Sequence, residues 1–185
     1  MTNLPRVRKT SRLLAWVCTV AIPIIPVGLA VLWFTMDWWV FGAGKATGFR
    51  PWQGPDFAIP QPIPDYSLAL GFLASMLPGS LMVYAVWHLR ALFGLYGQGQ
   101  IFTAKNAMHL RRFALAVLGM TLAGPVSNTL VILALTYGNP VGQRMLSISF
   151  SSSQLVVLFM GVMFLVIAWV MDEGRELAED QAQIV

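Results

Sequence analysis

Charge is what this sequence has least of. Only 11% of its 185 residues are Asp, Glu, Lys or Arg, less than half of the roughly 25% that a soluble domain carries. With 57% hydrophobic residues and a mean hydropathy of +0.67, much of the surface must face something apolar, and lipid is the natural candidate. The single cysteine, Cys18, excludes an intramolecular disulfide and any CxxC metal or redox motif. Val17 before it does not suit a lipid-attachment signal, so Cys18 reads as a small inert hydrophobe. Histidine is nearly absent as well: His88 and His109 are the only two. Neither stands with a serine motif, and no paired carboxylates lie in the apolar runs, so hydrolytic chemistry lacks its nucleophile, base and orienter. No glycine-rich phosphate loop follows a strand, and Gly97-Gln98-Gly99 reads as a turn. The expectation is a non-enzyme with no catalytic residue, no cofactor and no resident metal. The net charge of +4 does not point to nucleic acid either, because the basic residues flank apolar runs rather than forming a stripe with interleaved aromatics.

What the chain does have is four uncharged stretches long enough to cross a bilayer, for which about 20 apolar residues suffice. They cover 13–34, 66–88, 113–137 and 152–171. The first follows Arg6, Arg8, Lys9 and Arg12. It is too long for a signal peptide and carries Pro23 and Pro26, so it reads as an uncleaved anchor. The second ends at His88 and Arg90, the third starts after Arg111 and Arg112, and the fourth stops at Asp172 and Glu173. Each is apolar around its whole circumference, as a lipid-embedded helix must be. Lys and Arg divide nine to three between the two sides. The nine are the N-terminal four, Arg90, Lys105, Arg111, Arg112 and Arg175; the three are Lys45, Arg50 and Arg144. That asymmetry places both termini and the 89–112 loop inside. Trp33, Trp38, Trp39 and Trp52 would form the outer headgroup belt, and Trp16, Trp87 and Trp169 the inner one. The fold expected is therefore all-α, an integral membrane four-helix bundle, N-in and C-in, a single domain over 1–185 with an acidic cytoplasmic tail at 172–185.

The long first outer loop, 35–65, is rich in Pro, Gly and Trp, which forbids long helices or central strands; it reads as an aromatic cap on the membrane surface. In the second outer loop, Leu146 to Ser151 alternates apolar and serine, the pattern of a short amphipathic strand. The third helix should begin before the membrane: Thr103 is placed as N-cap, Asn106 is the third helical residue, and Phe102 is set to staple against Ala107. Such a helix, from Ala104 to Tyr137, reaches roughly 50 Å at 1.5 Å per residue. Gly94, Gly97 and Gly99 supply the turn before it. The fourth helix should continue past Met171 into the acidic stretch.

Within the spans, Gly119, Ala123 and Ser127 share one face of the third helix, and Gly71 and Ser75 one face of the second. Small-residue stripes of this kind let backbones approach closely, within the bundle or in a homo-oligomer. Asn128 and Ser127 are the most polar residues inside a span. With Pro23, Pro26, Pro78 and Pro125 they are what a small oligomeric transporter or channel would have to use. His88 and His109 would meet near the inner surface, an arrangement that a haem or metal could exploit.

The middle loop, Leu92-Phe93-Gly94-Leu95-Tyr96-Gly97-Gln98-Gly99-Gln100-Ile101-Phe102-Thr103-Ala104-Lys105-Asn106-Ala107, resembles the "LF…y..GeiFt.eNa..lrr" stretch of the DUF2975 family. The C-terminal Glu173-Gly174-Arg175-Glu176-Leu177-Ala178-Glu179-Asp180-Gln181, ending in Ile184-Val185, resembles that family's "G..L.eE…tV" segment. Where the family often has Glu after the second loop glycine, this chain has Gln100, so no carboxylate role is carried over there. The resemblance covers essentially the whole chain and implies a small bacterial inner-membrane protein. It also implies a regulatory partnership, since such genes often stand beside one for a Cro/C1-type helix-turn-helix regulator.

The two cytoplasmic motifs are thus the candidate partner-docking or structural motif: Gly99, Phe102, Thr103 and Asn106 would set the turn and helix start, and Glu173, Gly174, Leu177 and Glu179 on the tail would contact a partner or the loop itself. The bland alternative is that the five tail acids, Asp172, Glu173, Glu176, Glu179 and Asp180, neutralise the basic loop through exposed ion pairs worth at most about 1 kcal/mol each.

Overall fold

The computed structural model describes residues 4–35, 59, 62–100, 103–140 and 142–183, with 4, 5 and 176–183 described by backbone only. The cap expected over most of 35–65, with Trp38, Trp39 and Trp52, and the staple expected of Phe102 lie outside the described residues.

Four helices carry the chain: α1 (Leu4–Phe34), α2 (Asp65–Gly97), α3 (Ala104–Thr136) and α4 (Ser152–Gln183). All four are long and apolar enough to cross a membrane, and no strand occurs among the described residues. This is a multi-pass membrane architecture. In lipid every backbone N–H and C=O must be satisfied within the chain, and the helix does so residue by residue. The helices also outrun the uncharged stretches. α1 begins within the basic cluster, α2 passes His88 and Arg90 to reach Gly97, and α4 continues through Asp172 and Glu173. Charge marks where the apolar solvent ends, not where the helix does.

Contacts gather into two compact units, each assembled from a piece of all four helices. The terminal unit comprises Met1–Pro23, Leu81–Gly119 and Val156–Val185; the loop unit comprises Ile24–Ser80 and Met120–Leu155. In α1 and α2 the division falls at or near Pro23 and Pro78, where the ring removes one helix hydrogen bond.

In the loop unit, Trp33 is the anchor. Only 3% of its surface is exposed, and it packs with Ile63, Ala74, Val131 and Leu135. Its Nε1–H donates to Ser75 Oγ at 3.0 Å, and Ser75 Oγ donates in turn to Gly71 O at 2.9 Å. A Cβ at Gly71 would overlap the indole ring, so that glycine is what makes room for it. This corrects the belt reading of Trp33: the gap left by Gly71 and the acceptor offered by Ser75 draw the ring inward. Trp16, Trp87 and Trp169 do remain exposed.

The segment 143–150 has no regular secondary structure, yet it is firmly tied to α3. Met145 N–H donates to Thr136 Oγ1 at 3.2 Å, Thr129 Oγ1 lies 2.9 Å from Ser147 O, and Asn128 Nδ2 donates to Ser149 Oγ at 2.9 Å. Seven helical residues separate Thr136 from Thr129, about 10 Å; two residues of this segment cover that rise, which requires extended chain and side-chain reach. Leu146, Ile148 and Phe150 point outward at 69%, 68% and 73% exposure. The expected alternation is present, but without a strand partner, and its polar face is the inner one. Extended backbone at this depth is tolerable because α3's hydroxyl and amide groups satisfy part of it.

α4 then starts on a capping box. Ser151 N–H donates to Gln154 Oε1 at 3.0 Å, the Gln half of the box, while Ser151 Oγ accepts Ser153 N–H at 3.3 Å, an N-cap bond to the second helical residue.

The terminal unit is cored by Leu92, Leu110 and Ala168, with Leu89, Tyr96, Phe113, Phe164 and Met171 packed around them. Phe113 and Phe164 meet edge to face, their centroids 5.1 Å apart. A Cβ at Gly161 would press on Leu118, so α3 and α4 approach closely there.

Candidate functional site

The sequence motif around Gly99 folds as the end of α2. Gly99 has φ +87°, the left-handed conformation that glycine adopts without penalty. Gln100 N–H donates to Leu95 O at 3.1 Å, and Gly99 N–H to Tyr96 O at 3.0 Å. Together these bonds make a Schellman motif closing the helix. Gly94 and Gly97 lie inside α2; only Gly99 makes the turn. A Cβ on Gly99 would run into the Arg8 guanidinium, and one on Gly97 would approach Arg12 Cγ. The Arg8 guanidinium therefore sits at the C-terminal end of α2, where the helix dipole is negative, with the Arg12 stem beside it. That placement explains part of the basic N-terminus without invoking any ligand.

α3 begins at Ala104 as expected, but its cap works differently. Thr103 O accepts Asn106 N–H at 2.9 Å, while Thr103 Oγ1 is buried with no hydrogen-bond partner. Asn106 instead folds back, its Nδ2 donating to Gln100 O at 2.7 Å. Its Oδ1 is also buried and unpartnered, and the residue is wholly inaccessible. Asn106 thus locks the α2–α3 turn.

The tail behaves otherwise. Met171, one residue before the acids, packs on the Leu92–Leu110 cluster, so α4 leaves the core beside the end of α2. Glu173 and Gly174 are exposed, and nothing lies within 4 Å of a Cβ placed on Gly174. Among the described residues, Asp172 and Glu173 form no ion pair. Leu177 and Glu179 lie on the same helix, described by backbone only.

The two histidines do meet. His88 Nδ1 lies 2.9 Å from His109 Nδ1, and Tyr84 contacts His88 edge-on at 4.4 Å between centroids. A contact this short between two ring nitrogens needs a proton on one and a lone pair on the other, so at most one ring is an imidazolium. The two Nδ1 atoms are thus spent on each other, while His88 Nε2 is buried with no hydrogen-bond partner. Arg112 adds its positive charge to the same neighbourhood. Among the described residues no group of three or more His, Cys, Asp or Glu could hold a metal ion.

The small-residue stripe of α3 faces α2. In the loop unit Ser127 Oγ donates to Ala74 O at 2.9 Å and Ala123 is buried; in the terminal unit Gly119 lies against Leu81. Asn128, the most polar residue of a span, is engaged by Ser149. Sequence reasoning missed three features: the Trp33 seat, the capping box and the hydroxyl ladder on the 143–151 segment. The S-x-x-Q signature before an apolar run was there to find.

The DUF2975 family model, described as a protein of unknown function, matches residues 45–185. The chain belongs to the DUF2975 family. Both motifs of the turn and tail fall inside the matched region, while α1 with its basic cluster precedes it. Comparison with curated proteins and with solved structures found no match.

Proposed function

We propose that this DUF2975 member is a non-enzymatic protein of the bacterial inner membrane, with both termini cytoplasmic, that docks a cytoplasmic protein on its α4 tail. The observation that carries this reading is the unspent chemistry of the tail. α4 runs helical to Gln183, well past its apolar stretch, and among the described residues Asp172 and Glu173 form no ion pair and no atom lies within 4 Å of a Cβ on Gly174. A tail meant only to neutralise the basic turn would hold those acids on its cations. Orientation is supported by the terminal unit, which gathers Arg6, Arg8, Lys9, Arg12, Arg90, Lys105, Arg111, Arg112 and Arg175, the majority that the positive-inside rule assigns to the cytoplasm.

In this account the α2–α3 turn is the rigid base and the tail is the reader. Gly99, Thr103 and Asn106 fix the geometry; Glu173, Gly174, Leu177 and Glu179 meet the partner. A Cro/C1-type helix-turn-helix regulator, the partner that the family resemblance implies, would be held at the membrane away from DNA. The test is a photo-crosslinker at Gly174 in native membranes, with a chain ending at Met171 as control in a parallel pull-down. A discrete soluble protein captured from position 174, and lost from the pull-down on truncation, is the expected result. Crosslinks to lipid alone, or recovery that truncation leaves unchanged, reject the reading.

A further inference from the structure

The loop unit carries an apolar groove between α2 and α3, with Arg144 near one end. From α2 it is lined by Leu70, Leu73, Ala74 and Leu77, and from α3 by the same spacing between Leu130 and Tyr137, with Ala134 in Ala74's role. Both sets fall at i, i+3, i+4 and i+7, one helix face each. The two alanines are buried and form the floor, and the larger side chains stand as walls, largely exposed. The groove measures about 510 Å³, within the range of roughly 300–1,000 Å³ common to small-molecule sites. Its length along either helix is roughly 10 Å, a fitting run for part of an acyl chain.

One end is chemically distinct. Tyr137 meets Tyr66 edge to face, with 6.3 Å between ring centroids, and the Arg144 guanidinium lies 5.0 Å from the Tyr137 ring centre. Arg144 Nε–H donates to Asn139 O at 3.3 Å. That bond and the ring contact fix the side chain, yet its Nη donors meet no described carboxylate, Asp65 included. A guanidinium held in place with its fork unspent suits a phosphate group.

We infer that the α2–α3 groove is a binding site for one anionic phospholipid, its phosphodiester on Arg144 and an acyl chain over Ala74 and Ala134. Tyr66 and Tyr137 then stand at headgroup level, where amphipathic rings are favoured. Which leaflet supplies the lipid rests on the orientation proposed above; the site itself does not.

Native mass spectrometry of the detergent-purified protein tests this, with phosphatidylglycerol or phosphatidylcholine added. One phosphatidylglycerol should stay bound, preferred over phosphatidylcholine by about fivefold, as one basic residue near anionic lipid provides. Arg144→Gln, exposed and off the helices, should abolish that preference. Ala134→Leu, which fills the floor, should lower retention of both lipids. Equal retention of the two lipids by the unaltered protein, or an undiminished preference in Arg144→Gln, overturns the headgroup assignment. Unchanged retention in Ala134→Leu overturns the groove, and a lipid-free dimer assigns this face to a second copy instead.

Discussion

The two units of this chain are built from the same four helices but held by different chemistry. In the loop unit, hydroxyl and amide groups join neighbouring elements: Trp33 to Ser75, Ser127 to Ala74, Thr129, Asn128 and Thr136 to the 143–151 segment. The terminal unit has such an amide bond too, Asn106 Nδ2–H to Gln100 O. It has more cationic and aromatic contacts, however, than the loop unit, where Arg144 lies over Tyr137: Arg8 against Gly99, Arg90 Nε–H to Thr19 Oγ1 at 2.8 Å, Arg90 over Trp87, and the histidine pair. The difference is one of proportion: neutral bonds predominate in the loop unit and cationic or ring contacts in the terminal one. Neutral short-range bonds suit hydrocarbon, where an unpaired charge is expensive. Cations placed at a helix end and over an indole suit the membrane–water boundary.

Substitutions can break that comparison, and the largest effect belongs to the loop unit. Trp33→Ala removes its buried anchor and leaves Ser75 without its donor. We expect a loss of about 3–5 kcal/mol, the usual range for a large aromatic, read from unfolding in detergent; a loss below 1 kcal/mol would return Trp33 to the headgroup belt. In the terminal unit, Gly99→Ala must hold a left-handed backbone, costing about 1–2 kcal/mol, and also displace Arg8. Arg8→Ala in the same background should recover part of that cost, whereas full additivity would show that the contact with Arg8 is immaterial. Ser127→Ala should cost only about 0.6 kcal/mol, typical of interhelical bonds in membranes. Smallest of all is Thr103→Ala. A working N-cap hydroxyl contributes about 1 kcal/mol, but Thr103 Oγ1 has no partner, so its removal should leave stability within experimental error. A full capping loss there would mean the hydroxyl is bonded after all.

Much of this fold was legible. Four uncharged stretches gave four helices, Thr103 marked the start of α3 at Ala104, and the tail continued α4 as expected. What could not be read was direction around a helix. A helix apolar on every side carries no periodic signal of which face meets protein, so Trp33 looked like any interfacial tryptophan. Leu146 to Phe150 shows the same limit, because alternation fixes a period of two but not which face is inside, and here the serines are. Charge bounds a span, not a helix: α2 passes His88 and Arg90 and stops only where Gly99 permits a left-handed turn. At the candidate site, the turn chemistry was legible from Gly99, Thr103 and Asn106, but not the bond by which Asn106 closes on Gln100 O, because a buried amide's partner depends on the tertiary path of the turn. Asn106 is sealed inside the turn, whereas Glu173 and Gly174 are exposed.

Side-specific labelling tests the orientation on which the docking proposal depends. In a Cys18→Ser background, Gln143→Cys and Gly174→Cys are each exposed to a membrane-impermeant maleimide in intact and in permeabilised cells. Position 143 should label in intact cells and position 174 only after permeabilisation. Labelling of position 174 from outside would contradict the account, since a tail on that side could not meet a cytoplasmic partner.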